Sequence, residues 1–154
     1  MRRRDREIND INEIEEIISK ADVCRIAFAD NNIPYIVTMN FGYTGGENKT
    51  LWFHSANEGR KIDLIRKNDN VCFEMDIDHE LYGGEKGCDW GMHFKSIVGY
   101  GKIGIVTSGP ERIAGLDSIM LHYSGQSGFI YDDKVLDSTT VLKLEIDEIS
   151  GKKR

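Results

Sequence analysis

The chain has little that would staple, stiffen or anchor it. Its 154 residues include two prolines and three cysteines. Cys24, Cys72 and Cys88 are odd in number and show no paired spacing, which excludes a disulfide framework and fits free thiols in a reducing cytoplasm. There is no apolar run long enough to span a bilayer and no apolar core of a signal peptide. The expectation is a cytoplasmic protein with no membrane partner. An excess of positive charge is also missing. Twenty Lys and Arg stand against 26 Asp and Glu, a net charge of −6, which argues against nucleic acid as the main partner. No nucleophile elbow of the Gly-x-Ser-x-Gly type occurs. His79, Cys88 and His93 match no standard zinc spacing, so no metal site is expected. Gly99-Tyr100-Gly101 is no phosphate loop, because no helix follows it.

What is present is the composition of an ordinary globular domain, 40% hydrophobic and 30% charged. The length suits one domain over residues 1–154, with no repeat and no linker. Glu7 to Lys20 reads as an amphipathic helix with Ile8, Ile11, Ile14 and Ile18 on one face. Val23 to Ala29 alternates as a strand, Asp30-Asn31-Asn32 reads as a hairpin turn, and Pro34 opens a strand over Tyr35 to Tyr43. With the strand at 50–54 these runs predict an antiparallel meander. Val71 to Ile77 and Phe94 to Val106 are further strands, separated by a charged, glycine-rich stretch at 78–91 that reads as a long mobile loop. Ser108 and Pro110 start a helix with Ile113, Leu116, Met120 and Tyr123 on its apolar face. Thr139 to Ile149 closes the sheet, leaving a basic tail. The count is about six strands and three helices, an α+β or small-barrel pattern.

One stretch stands out, Leu51 to Asn68. It predicts a short strand, a polar turn with Ser55 and Asn57 as possible caps, and a helix carrying Ile62, Leu64 and Ile65. Arg60 and Lys61 then fall in its first turn. Helix stability alone disfavours cations there, because that end is already positive. Two cations beside free backbone N–H groups suit a phosphate. From the spacing alone, solvated surface charges fit slightly better. The basic clusters at the ends (Arg2, Arg3, Arg4 and Arg6; Lys152, Lys153 and Arg154) read as solvated termini or as arms reaching a neighbour's ligand.

The string F-H-S-x-x-x-G-R-K-x-x-x-I-R-x-N resembles the phosphate-binding segment of the pyridoxamine 5'-phosphate oxidase-like superfamily of FMN-binding split β-barrels. MRRRDREI at the N-terminus, YIVTMNFGY (35–43), FHSA (53–56) and SIVGYGKI (96–103) are similar, in the same order, to its nitroimidazole-resistance branch. The resemblance implies a mainly β, six-stranded antiparallel split β-barrel with flanking helices. It implies FMN as cofactor, its phosphate on Arg60 and Lys61, and its ring along the backbone of Val37, Thr38, Met39 and Asn40. Asn40, a poor strand former, is a further sign of function there. The resemblance implies that Ser96 contacts the flavin from the neighbouring subunit of a homodimer; a plain strand serine is the other reading. His54 is the candidate catalytic residue. It is open between the ribityl chain, a flavin oxygen, the substrate and a structural role. The implied activity is that of an FMN-dependent reductase of a small-molecule substrate, with NAD(P)H as possible donor. The alternatives are a pyridoxamine 5'-phosphate oxidase, whose C-terminal segment EISGKKR does not match, or a non-catalytic holder of FMN or haem.

Overall fold

A computed structural model describes residues 3–154. Met1 and Arg2, part of the expected basic N-terminus, lie outside the described residues. The elements run β1 (Glu7–Ile8), α1 (Ile11–Lys20), β2 (Cys24–Asp30), β3 (Ile33–Met39), β4 (Gly42–Thr44), β5 (Thr50–Ala56), α2 (Arg60–Lys67), β6 (Asn70–Tyr82), β7 (Gly91–Ile105), α3 (Gly109–Ser124), α4 (Asp133–Ser138) and β8 (Thr139–Lys153). All strands belong to one antiparallel sheet in the order β3-β2-β6-β7-β8-β5-β4, with β1 paired to β8.

The mainly β, antiparallel character follows the sequence reading, but several boundaries move. Among the described residues there are eight strands and four α-helices rather than six and three. The first helix begins at Ile11, where the Asp10 side chain accepts from the Asn12 N–H at 2.9 Å and caps it. Ile8 is buried as expected, but from a strand paired with Gly151. The expected loop at 78–91 is shorter than the sequence suggests, with 83–90 outside the strands and a single 3-10 turn at Gly87–Asp89. β6 runs on to Tyr82 and β7 begins at Gly91, with a bulge at Asp78 absorbing a register shift. The basic C-terminal tail is strand as well. Lys95 pairs with Lys153, and Phe94 and Arg154 exchange backbone hydrogen bonds. On α3 the buried positions are Gly115 and Ile119, which pack with Trp52, Val106 and Val141.

The largest correction concerns residues 35–43, expected as one strand of a meander. β3 and β4 are separate, broken at Asn40-Phe41, and they occupy opposite ends of the sheet path. Two residues cannot span a flat seven-strand sheet, since each adds at most about 3.5 Å. The sheet therefore rolls up until its two ends meet, which is barrel closure. Phe28, Phe41, Phe53 and Phe73 are fully buried inside, with Ile17, Ile18 and Ile62 contributed by the helices. At Gly101, where the β7–β8 register shifts, a Cβ would lie 2.1 Å from the Glu145 carbonyl oxygen, so only glycine lets the strands approach this closely.

Candidate functional site

The barrel closes incompletely, and the opening is defined by register. β2 and β3 are joined by the two-residue turn Asn31-Asn32, both residues at positive φ as such a hairpin requires. Ala29 opposes Pro34, and proline has no N–H to donate, which fits the non-bonded pair of the ladder. By alternation Ile36 and Thr38 are also non-bonded toward β2. Their backbone N–H and C=O groups point outward, to the side where β3 has no partner strand.

Across this open edge lies β5. β4 covers it only at Thr50–Trp52, while β5 continues uncovered to Ala56. Asn40 stands at the break two residues before β4, and His54 lies two residues past Trp52 on the uncovered part of β5. The side chains of Thr38, Asn40 and His54 are exposed, Val37 is half-buried and Met39 is buried. The split thus runs from Asn40 and His54 at one end toward the β2–β3 turn at the other.

That far end is capped by α2. Its first residue, Arg60, reaches across: the guanidinium lies 3.2 Å from Asp30 Oδ2 and 4.4 Å from the centroid of the Tyr35 ring. Lys61 is half-buried and makes no ion pair among the described residues. The expected caps Ser55 and Asn57 are not used. The N-cap is Gly59 at φ +126, a conformation open to glycine, and no side chain caps the free N–H groups. Helix end, unpaired ammonium and a guanidinium held by one carboxylate oxygen make an anion-binding arrangement.

Ser55 adds an observation that sequence reasoning did not reach. Its side chain alternates with His54 and so faces inward with Phe53. The residue is 7% exposed and its Oγ has no hydrogen-bond partner among the described residues. A buried hydroxyl left unpaired costs roughly 1–3 kcal/mol. Strand alternation would have put Ser55 inside, but its lack of a partner is visible only in three dimensions.

Ser96 is not brought to the split within one chain. It lies on β7, on the outer face of the sheet, opposite Asp76 and Lys152. Between it and β3 runs a polar band. Arg25 opposes Thr38 and donates to Glu74 at 3.0 Å and to Asp76, and His79 Nε2 lies 2.8 Å from Asp76 Oδ2. Burial raises the Glu74 carboxyl above its ordinary range, and the neighbouring Asp76 charge adds to it. Among the described residues no cluster of His, Cys, Asp and Glu is arranged to hold a metal ion. Cys24 is buried, which pushes its thiol pKa up and makes it unreactive; Cys72 is half-buried and Cys88 exposed.

Comparison with known proteins bears on the family and the fold. Residues 10–153 match the family profile described as pyridoxamine 5'-phosphate oxidase. A crystal structure from Bacteroides thetaiotaomicron, described as a candidate 5-nitroimidazole antibiotic resistance protein, is 36% identical. The match covers 96% of this chain and 86% of that one, with a TM-score of 0.83. A flavocytochrome from Azotobacter vinelandii shares the fold at 15% identity, covering 100% of this chain and 72% of that one (TM-score 0.81). A FAD-binding protein from Mesorhizobium loti does so at 20%, covering 97% of each chain (TM-score 0.69). No curated protein gives a match. A family profile spanning all but the ends of the chain, and a relative more than one-third identical over nearly its whole length, lead to one conclusion: the chain belongs to the pyridoxamine 5'-phosphate oxidase family.

Proposed function

We propose that the protein binds FMN in the split of the barrel and acts as an FMN-dependent reductase. One observation carries this reading. A free strand edge and a cation-bearing helix N-terminus lie at one opening, and the strand between them carries a buried, unpaired hydroxyl on its inner face. The donors present fit the group. Arg60 forks toward a phosphate, Lys61 supplies a compact charge, and the first N–H groups of α2 add their dipole. The outward backbone groups of Ile36 and Thr38 suit the polar edge of a flavin ring, and Asn40 flanks it. When bound, FMN supplies hydride chemistry of its own. The chain's task is to hold the cofactor, leave one face open and keep His54 at the rim, within reach of the ribityl chain or of a substrate.

The description of the 36%-identical relative supports a nitro compound as the substrate class, and NAD(P)H is the donor this reading expects. The second reading is a holder of FMN or haem without turnover. It is favoured by His54, whose exposed imidazole would hold the iron if haem were bound. The absorption spectrum of the purified protein separates flavin from haem, and bound haem would overturn the first reading. Turnover of a nitroaromatic with NAD(P)H then separates a reductase from a holder.

The same reading makes the protein a homodimer. On the outer face of the sheet Ile36, Val98 and Tyr100 are exposed beside a groove lined by Ala27, Ala29, Pro34 and Cys72. A second copy seated there would bury this apolar face and bring its Ser96 toward the first copy's split.

A further inference from the structure

The turn between β5 and α2 is held from outside. Asn57 Nδ2 donates to the Asp137 carbonyl at 2.7 Å, and Thr140 Oγ1 donates to Asn57 Oδ1 at 2.8 Å. Both partners lie where α4 passes into β8. That junction is fastened from a second side by α3, whose Arg112 guanidinium donates to the Leu136 carbonyl at 2.5 Å and to the Thr139 carbonyl at 2.9 Å. These are carbonyls at the end of α4, where a helix leaves its acceptors unpaired and a cation is favoured. α4 buries none of its residues, and Ile130 in the segment before it is 100% exposed. Polar contacts rather than apolar burial therefore hold this junction in place.

Asn57 stands three residues before Arg60 and four before Lys61. Gly59, the residue with the widest backbone freedom, lies between them. A turn with such a joint presents its donors in one geometry only if something else restrains it. We propose that Asn57 is a positioning residue, clasped by the α4–β8 junction, that holds the β5–α2 turn so that the protein selects phosphorylated over unphosphorylated flavin. The inference rests on the flavin reading above. Several donors must converge on a phosphate at once, and a turn that samples other conformations pays to be ordered when the ligand binds. The β3 edge, which would meet the ring, takes its register from β2, and the turn touches it only through Arg60 over Tyr35.

The test is titration of ligand-free protein with FMN and with riboflavin, in the parent, Asn57→Ala and Thr140→Val. Loss of the clasp in Asn57→Ala weakens FMN about five- to tenfold, on the scale of one or two hydrogen bonds. Riboflavin affinity stays at the parent value. Thr140→Val, which removes one of the two contacts and keeps the side-chain volume, shifts FMN in the same direction by less. Equal weakening of both ligands overturns the proposal, since a general structural role does that. So does an Asn57→Ala protein that keeps the parent's preference for FMN. A parent protein without any such preference removes the phosphate reading itself, and that outcome is distinguishable because the parent is measured alone.

Discussion

Ser55 sits where its chemistry and its burial conflict. A hydroxyl in the barrel wall without a partner destabilises the ligand-free fold, and removing it should relieve the cost. Ser55→Ala is expected to raise the unfolding free energy of the ligand-free protein by roughly 1 kcal/mol. The same change should weaken FMN. Urea unfolding with and without FMN measures both. A Ser55→Ala protein less stable than the parent when ligand-free would show that the hydroxyl is already satisfied and has nothing to do with a ligand. Arg60 poses a different question, because Asp30 and Tyr35 already hold it. An exposed ion pair contributes little, about 0–1 kcal/mol, and a cation over an exposed ring about as much. Neither fixes Arg60 strongly enough to keep it from a phosphate. Together they orient the guanidinium over the end of the split.

The β6–β7 hairpin shows how element boundaries separate what the sequence makes legible from what it does not. Its stretch at 78–91 carries the residues of a loop, and the bulge at Asp78 breaks the alternation that would mark a strand. Cross-strand pairing nevertheless continues through Tyr82↔Gly91. Trp90 at the tip is 54% exposed, its ring packed on Gly83 and its indole N–H donating to the Gly84 carbonyl at 3.0 Å. Trp90→Ala is expected to leave FMN affinity within about twofold of the parent, because no bond of Trp90 reaches the split, and to change KM or kcat for a nitro substrate. Steady-state kinetics beside a cofactor titration reads this out; unchanged kinetics make the hairpin tip a surface excursion. Elsewhere, elements with a strong local signal were legible. The Asn31-Asn32 turn, the Ser108-Pro110 helix start and the buried Ile14 and Ile18 of α1 all stand as the pattern implies. The break at Asn40-Phe41 was not, because an apolar run reads through it and only long-range closure decides it. Gly59 displaced Ser55 and Asn57 as cap for a similar reason: Ser55 is turned into the barrel wall and Asn57 is bonded to α4. Arg60 and Lys61 were placed at the helix start by their spacing. Nothing local shows that this start caps the barrel's open seam.

At the scale of the whole molecule, the rolled sheet leaves two surfaces, the split and the apolar outer face. No helix among the described residues is long and apolar enough to cross a membrane. The outer face is proposed to be covered by a second copy, which predicts a dimer by size-exclusion with light scattering. A clean monomer carrying tightly bound FMN would contradict a shared site. Tyr100→Glu, placed in the middle of that face, should shift the protein toward monomer, because a buried unpaired carboxylate is costly.

The central claim is that the start of α2 holds a flavin phosphate, and it is tested most directly by titrating ligand-free protein with FMN and riboflavin in the parent, Arg60→Ala and Lys61→Ala. The phosphate carries roughly −1.5 to −2 charge at neutral pH, and each charge-assisted hydrogen bond to it contributes on the order of 1.5–3 kcal/mol. The account predicts that each substitution weakens FMN by roughly ten- to a hundredfold while riboflavin binds as in the parent. Equal loss for both ligands, or no loss for either, would contradict it.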